Sequence, residues 1–277
     1  MHLIPGLYIV ATPIGNLADV SDRAKTVLAA ADLIAVEDSR VTGKLLNLLG
    51  IKRPMIPYHD HNGDRVRPGL IDRMASEIIV LVSDAGTPLI SDPGYKLVRE
   101  ARAAGRMITT IPGPCAAVAA LTLAGLPTDR FFFLGFLPPK EKAKRDAIDE
   151  VKAIRATLVL YESGPRLPAT LKLLAELMGE REAAVAREIT KAFEETVTGT
   201  LATLADHYEN GGPKGEIVII IGPPGEAAPA DEDQVEAALR AALITLSPGQ
   251  AAGEVTRALG ADRKALYARA LELRREG

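Results

Sequence analysis

Ser83-Asp84-Ala85-Gly86-Thr87-Pro88-Leu89-Ile90-Ser91-Asp92-Pro93-Gly94 is the most unusual stretch of the chain, and it follows directly on the apolar run IIVLV. Glycine permits positive φ and proline fixes φ, so a run this rich in both holds an irregular loop close to something, and a plain turn rarely needs so many such residues. Asp84 at the strand end supplies acceptors. Pro93, read as the first residue of a helix, leaves free backbone N–H groups nearby, so a polar ligand suits the loop. The alternative is a long surface crossover.

Outward from this loop, short β-branched runs alternate with amphipathic ones, the pattern of an α/β domain with a largely parallel sheet. LYIVAT, LIAVED, IIVLVSD and MITTIP read as strands. Ser21 caps a helix running to Ala31, residues 44–49 carry apolar side chains at helical spacing, and Pro93-Gly94 opens a helix that stops at Gly105. Ligands collect at the carboxyl ends of strands in such sheets, which singles out ATPIGN, VEDSR, SDAGTP and IPGPC. A second strand series (FFFLGFLP, TLVLYES, AAVAREIT, EETVTGTL, EIVIIIG) has fewer intervening helices, so part of its sheet is expected to be antiparallel. The expected divisions are 1–114, 115–224, an acidic Pro/Ala-rich linker at 225–234, and a helix-turn-helix-like unit at 235–277. In that last unit Ser247-Pro248-Gly249-Gln250 forms a capping box, and Gly260 and Asp262 supply a stop and a fresh N-cap. A small docking bundle is the competing reading of this unit.

The bulk numbers are those of an ordinary globular chain: 277 residues, 47% hydrophobic, 25% charged. A single cysteine, Cys115, leaves no intramolecular disulfide and no cysteine-cluster metal site, which fits a cytoplasmic location. No apolar run approaches a membrane span, and MHLIPGLYIV lacks the basic start of a signal peptide, so a mature start near Met1 is expected. The net charge of −3 would repel a polyanion, so any nucleic-acid contact rests on local patches. Two exist: Lys140, Lys142, Lys144 and Arg145, and a C-terminal set in which Arg263, Lys264 and Arg269 could face phosphates. The dinucleotide-fold, P-loop, nucleophile-elbow and zinc-protease signatures are all missing. His59 and His61 have no further His or Cys cluster to complete a metal site.

ATPIGNL (11–17), VEDSRVTGKLL (36–46), YHDHN (58–62), SDAGTPLISDPG (83–94), IPGPCAAVAAL (111–121), FFFLGFLP (131–138), YES (161–163), REITKAFEE (187–195) and GEIVIIIGP (215–223) follow one another in the order of a known family. The chain resembles the ribosomal RNA small subunit methyltransferase I family of the tetrapyrrole methylase fold, and its C-terminal helices are similar to that family's appended helix-turn-helix region. One departure is visible: Gly164-Pro165 stands before Arg166 where the family commonly has Pro-His, so no histidine role carries over. The resemblance implies a two-domain α/β fold and methyl transfer from S-adenosylmethionine to the 2′-oxygen of a cytidine in 16S ribosomal RNA. It further implies no metal, a homodimer, and 16S RNA or the assembled 30S subunit as partner. By motif position it puts Pro13, Asp84, Gly86, Pro88, Leu89, Cys115, Ala116, Tyr161, Arg187 and Gly215 around the cofactor.

Methyl transfer to a hydroxyl needs alignment and an acceptor for the proton. The candidates are Glu37 and Glu188, with Asp38 behind them and Lys191 only if its pKa is depressed. Arg40, Arg187 and Lys191 would hold phosphates, unless each is spent on an adjacent acid, as in pairs of Asp38 with Arg40 or Glu188 with Lys191. Thr12 and Asn16 could contact substrate or cap a turn. Two other functions compete: a porphyrinoid methyltransferase of the same fold, and a ligand-responsive nucleic-acid-binding regulator.

Overall fold

The computed structural model describes residues 2–225 and 232–276. Most of the expected linker therefore lies outside the described residues. Residues Met1–Pro223 form one compact unit and Pro224–Gly277 another.

The first unit opens with β1 (Gly6–Val10), α1 (Asp22–Ala30), β2 (Leu33–Val36), α2 (Ser39–Leu48), β3 (Met55–Pro57), α3 (Gly63–Arg73), β4 (Ile78–Val82), α4 (Tyr95–Ala103) and β5 (Ile108–Ile111). The five strands form one parallel sheet in the order β3-β2-β4-β1-β5. Its central strands β2, β4 and β1 read as continuous apolar runs because both faces are covered. Tyr8, Ile34, Val36, Val80 and Val82 point into a core shared with Ala24, Val27 and Leu28 of α1 and Leu46 of α2. Their neighbours Leu7, Leu33, Ala35, Ile79 and Leu81 point the other way, onto Leu70 of α3 and Leu97 and Ala101 of α4.

The chain then crosses through α5 (Ala116–Leu123) to β6 (Phe131–Phe136), α6 (Glu141–Val151), β7 (Thr157–Ser163), α7 (Leu167–Met178), β8 (Glu182–Arg187), β9 (Glu195–Thr200), α8 (Leu201–His207) and β10 (Glu216–Ile221). The second sheet has the order β6-β7-β10-β8-β9, with β6 and β7 parallel and the other pairings antiparallel. Here too alternation sorts side chains between layers. Ile217, Ile219 and Ile221 meet α6, α7 and α8, whereas Val218 and Ile220 meet α5. The α5 face is built of small residues, Ala117, Ala120 and Ala124 against Ala184 and Ala186, which lets helix and sheet approach closely.

Two local readings need correction. Gly94, at φ 138°, is the N-cap of α4 and Tyr95 its first residue, so Pro93 lies just outside the helix. The helix expected at 44–49 begins at Ser39, capped by the Asp38 carboxylate on the Arg40 N–H. β3 and α3 carry little local signal. β3 is a three-residue edge strand ending in Pro57, and α3 contains Pro68 and owes its place to burial of Arg67 and Leu70.

The second unit comprises α9 (Glu232–Leu243), α10 (Pro248–Leu259) and α11 (Arg263–Glu276) around Leu239, Ala252, Val255, Leu266 and Ala270. Gln250 accepts from the Ser247 N–H at 3.2 Å and hydroxyl at 2.8 Å. Gly260 closes α10 at φ 71°, and Asp262 accepts from the N–H groups of Lys264 and Ala265. Arg269 is held by Glu236 and Glu272, so it staples α11 to α9.

Candidate active site

The carboxyl ends of β1, β2 and β4 and the loop after β5 converge on a cleft of about 390 Å³, whose far wall is the rim of the second sheet. That volume suits a small-molecule ligand. The near wall carries Ile14, Glu37, Asp84, Gly86, Asp92, Cys115 and Ala116; the far wall carries Phe136, Tyr161, Glu162, Glu188, Gly215 and Val218.

The near wall is cross-braced by the loop 83–94. Thr12 and Gly86 exchange backbone hydrogen bonds at 2.9 and 3.1 Å, and the Thr12 hydroxyl donates to the Ser83 carbonyl at 3.3 Å. Thr87 donates to the Pro114 carbonyl at 2.9 Å, tying the loop to the start of α5. Asp84 accepts from the Asp38 N–H at 3.0 Å, which joins the ends of β4 and β2 and sets Glu37. Burial, then the neighbouring Asp84 charge, raises the Glu37 pKa, and a hydrogen bond from the Asp84 backbone only partly offsets this. Asp92 rises to about 6, mainly through burial and then through the charges of Glu37 and Asp84, against a Ser83 hydrogen bond that lowers it.

The far wall is wired differently. Lys191 donates to Glu188 at 3.0 Å and to Glu216 at 3.1 Å, and the Glu216 N–H also reaches Glu188 at 3.3 Å. The Lys191 hydrogen bond holds the Glu188 carboxyl below its ordinary range. Burial of Lys191 acts to lower its own pKa, but the two carboxylates outweigh it and the net shift is upward. Gly215, at φ 106°, lies against Glu188 so closely that a Cβ there would strike the carboxylate. Tyr161 accepts from the Ala117 N–H at 3.2 Å and so serves the start of α5, while burial raises its hydroxyl pKa.

Among the described residues, positive φ outside glycine occurs at Leu89, Ser91, Glu188 and Thr190, of which Ser91 and Glu188 line the cleft, one on each wall. Such backbone persists only where the surrounding structure over-determines it.

Of the expected cofactor contacts, Asp84, Gly86, Cys115, Ala116, Tyr161 and Gly215 line the cleft, as do Glu37 and Glu188. Pro13, Pro88, Leu89 and Arg187 do not. Leu89 packs beneath the loop against the first sheet's core, and Arg187 faces Glu195 across the β8–β9 ladder at 2.7 Å. Lys191 does not meet the condition for a base, because its carboxylate partners raise rather than depress its pKa. Lys144 is not a surface cation: it is 6% exposed and donates to Thr170 at 3.3 Å. Arg145 is held bidentately by Glu176. Arg40 is bound by Asp38 though 86% exposed, and Lys140, Lys142, Arg263 and Lys264 are exposed. Asn16 caps a short 3₁₀ turn through the Ala18 N–H. His59 and His61 meet edge to face, and among the described residues no group of three or more His, Cys, Asp or Glu could hold a metal.

Asp92, Glu162 and Phe136 were not singled out from sequence. Each sits inside a quoted motif, and only the meeting of the two sheets shows that it faces the cleft. Glu162 is fully buried, taking hydrogen bonds from Ser163 N–H at 2.8 Å and Thr170 at 2.7 Å and pairing with Arg166 at 3.2 Å. Gly164 has a spatial rationale: a Cβ would run into the Pro213 carbonyl.

Residues 6–205 match the family model described as Tetrapyrrole (Corrin/Porphyrin) Methylases, which defines the class of the first unit. Residues 229–274 match the RsmI C-terminal HTH domain. A curated relative from Erythrobacter litoralis (strain HTCC2594), named ribosomal RNA small subunit methyltransferase I, is 54% identical over 272 residues, covering 98% of this chain and 96% of its own. One of the same name from Mesorhizobium japonicum is 48% identical over 277 residues, covering 98% and 93%. This chain belongs to the ribosomal RNA small subunit methyltransferase I family. Among solved structures, uroporphyrin-III C-methyltransferase from Thermus thermophilus complexed with S-adenosylhomocysteine shares the fold, with TM-score 0.55 and 18% identity over 78% of this chain and 97% of that one. As a member of the ribosomal RNA small subunit methyltransferase I family the chain is an S-adenosylmethionine-dependent methyltransferase, and the porphyrinoid and regulator readings give way to the family. No helix among the described residues is long and apolar enough to cross a membrane.

Proposed function

We propose that this enzyme methylates the ribose 2′-hydroxyl of a cytidine in 16S ribosomal RNA of the small subunit. The observation that carries the reading is a cleft walled by the family's own motifs from both sheets, in a chain with near-full-length relatives bearing that name. Asp84, Gly86, Cys115, Ala116, Tyr161 and Gly215 would hold the cofactor along a lining that is apolar with a few convergent polar groups. When bound, S-adenosylmethionine supplies an electrophilic methyl group on a sulfonium.

The chain's residues then have a positioning and a proton-transfer task. Glu37 takes the 2′-hydroxyl proton during attack. Its raised pKa makes it a better acceptor near neutrality than Glu188, whose carboxylate is already engaged by Lys191. Glu188 instead anchors the far wall and presents its second oxygen to the incoming ribose. Arg40, Lys140, Lys142, Arg263 and Lys264 hold phosphates, each from an exposed position. The reading includes a cytoplasmic homodimer acting on 16S RNA or the assembled 30S subunit, with 1–114 and 115–224 together lining the cleft and 235–277 an RNA-contacting appendage.

Radiolabelled methyl transfer to 30S subunits, free 16S RNA and a uroporphyrinogen control tests this, with labelled RNA digested to nucleosides. Label in 2′-O-methylcytidine is the expected result. Label in the porphyrinoid or in a base methyl would overturn it.

A further inference from the structure

Phe136 ends β6, lines the cleft, and is 57% exposed, a large apolar ring left open to solvent at the cleft mouth. Its ring is held edge-on to Tyr161 at 5.4 Å and 61°, and Tyr161 is itself backed by Phe133 at 5.0 Å. The backbone on either side is fixed. Gly135, at φ 68°, makes a bulge where β6 slips register against β7, and the Ser91 hydroxyl occupies the space a Cβ would need. On the other side Arg166, paired with buried Glu162, donates to the Leu137 carbonyl at 2.8 Å. An exposed aromatic held this firmly has paid its ordering entropy before any ligand arrives.

The chain leaves Phe136 through buried Leu137 into Pro138-Pro139-Lys140, and Lys140 and Lys142 are exposed at the start of α6. An aromatic face at a cleft lip followed by cations is the pairing by which proteins hold single-stranded nucleic acid, with bases stacked and phosphates neutralised. Sequence-specific recognition of RNA overwhelmingly targets single-stranded nucleotides, whose unstacked bases are held on aromatic side chains.

We infer that Phe136 is the stacking platform for the base of the target nucleotide, with Lys140 and Lys142 on the adjoining phosphates. The inference rests on the RNA-methylation reading above and adds a specificity-determining residue to it. The cofactor's adenine is the other flat base that could lie there, and the test separates the two.

Phe136→Ala, Phe136→Leu and Phe136→Tyr enzymes are assayed for methylation of 30S subunits and 16S RNA, with S-adenosylmethionine affinity measured by calorimetry. Alanine and leucine are expected to lower kcat/KM for RNA about tenfold, within the usual cost of removing an aromatic platform from a base, while tyrosine stays near wild type. Cofactor affinity is expected to stay within about twofold in all three, since the ring stacks on RNA. Leucine behaving as wild type would reduce the ring to packing and overturn the inference. Loss of cofactor affinity in parallel with RNA activity would hand the ring to adenine and overturn it equally. Wild-type enzyme that labels no RNA would bring down the parent reading as well, an outcome distinct from both.

Discussion

Glu37 and Glu188 face one cleft from opposite walls, and their surroundings drive them in opposite directions. Glu37 ends a strand of a parallel sheet, where strand ends gather on one edge; two further carboxylates, Asp84 and Asp92, gather there with it. Burial among like charges favours its protonated form. Glu188 follows a strand of an antiparallel set, where the neighbouring strand enters as this one leaves, so the start of β10 brings the Glu216 N–H and carboxylate beside it. Lys191, three residues on, then neutralises both acids. In the function proposed above, the near wall is the one that moves a proton and the far wall the one that stays charged and holds still.

The largest expected effect sharpens this contrast. Glu37→Gln should lower kcat about 100-fold, the modest end of a general base's contribution, with cofactor affinity unchanged in calorimetry. A loss under threefold would remove Glu37 from the chemistry and break the comparison at its first term.

Gly215→Ala probes the far wall. The added methyl group meets the Glu188 carboxylate in a backbone conformation that disfavours side chains, so unfolding free energy should fall by about 2 kcal/mol in urea titrations. Undiminished stability would mean that Glu188 can swing away and is not held as described.

Glu188→Gln should act on substrate affinity more than on turnover, costing about fivefold, of the order of one partly exposed charged hydrogen bond. A kcat loss matching that of Glu37→Gln would make the two walls equivalent.

Asp92→Asn tests the near-wall charges and has the smallest effect. In the wild type, kcat/KM should fall on acidification as Glu37, whose pKa is raised by burial and by the neighbouring Asp84 charge, takes up a proton. In the variant the limb should move to lower pH, because removing one like charge lets Glu37 ionise more easily. Stability should move as well. Asp92 titrates higher folded than unfolded, so its ionisation opposes folding; that opposition is absent well below the unfolded value, grows as pH rises, and is complete above about 6. Above that pH the variant should gain about 1 kcal/mol after allowance for solvent screening, and no gain at low pH, which paired melts at the two pH values would register.

Much of this molecule is legible in one dimension. The ten-strand framework follows from β-branched runs and their punctuation, apart from β3, which is too short and proline-bound to signal itself. The strand-end loops pointed to the cleft because carboxyl ends of parallel strands must share an edge. What escaped depends on partners distant in sequence. Lys144 looks like one member of a basic run, yet the packing of α6 on α7 turns it inward to Thr170. Arg187 looks like a cleft cation, yet β8–β9 register gives it to Glu195. Asp92 lies ten residues past the end of its strand, and the loop's return places it beside Glu37.

The sequence by itself determined the two sheets, the helical C-terminal unit, the family, and the loops that carry chemistry, because these rest on periodicity, turn residues and motifs that are local. Tertiary structure decided which of several acids and cations are free to act. Charge state and exposure are set by what lies a few ångströms away in space, and here that neighbour comes from another strand, another helix or the opposite sheet.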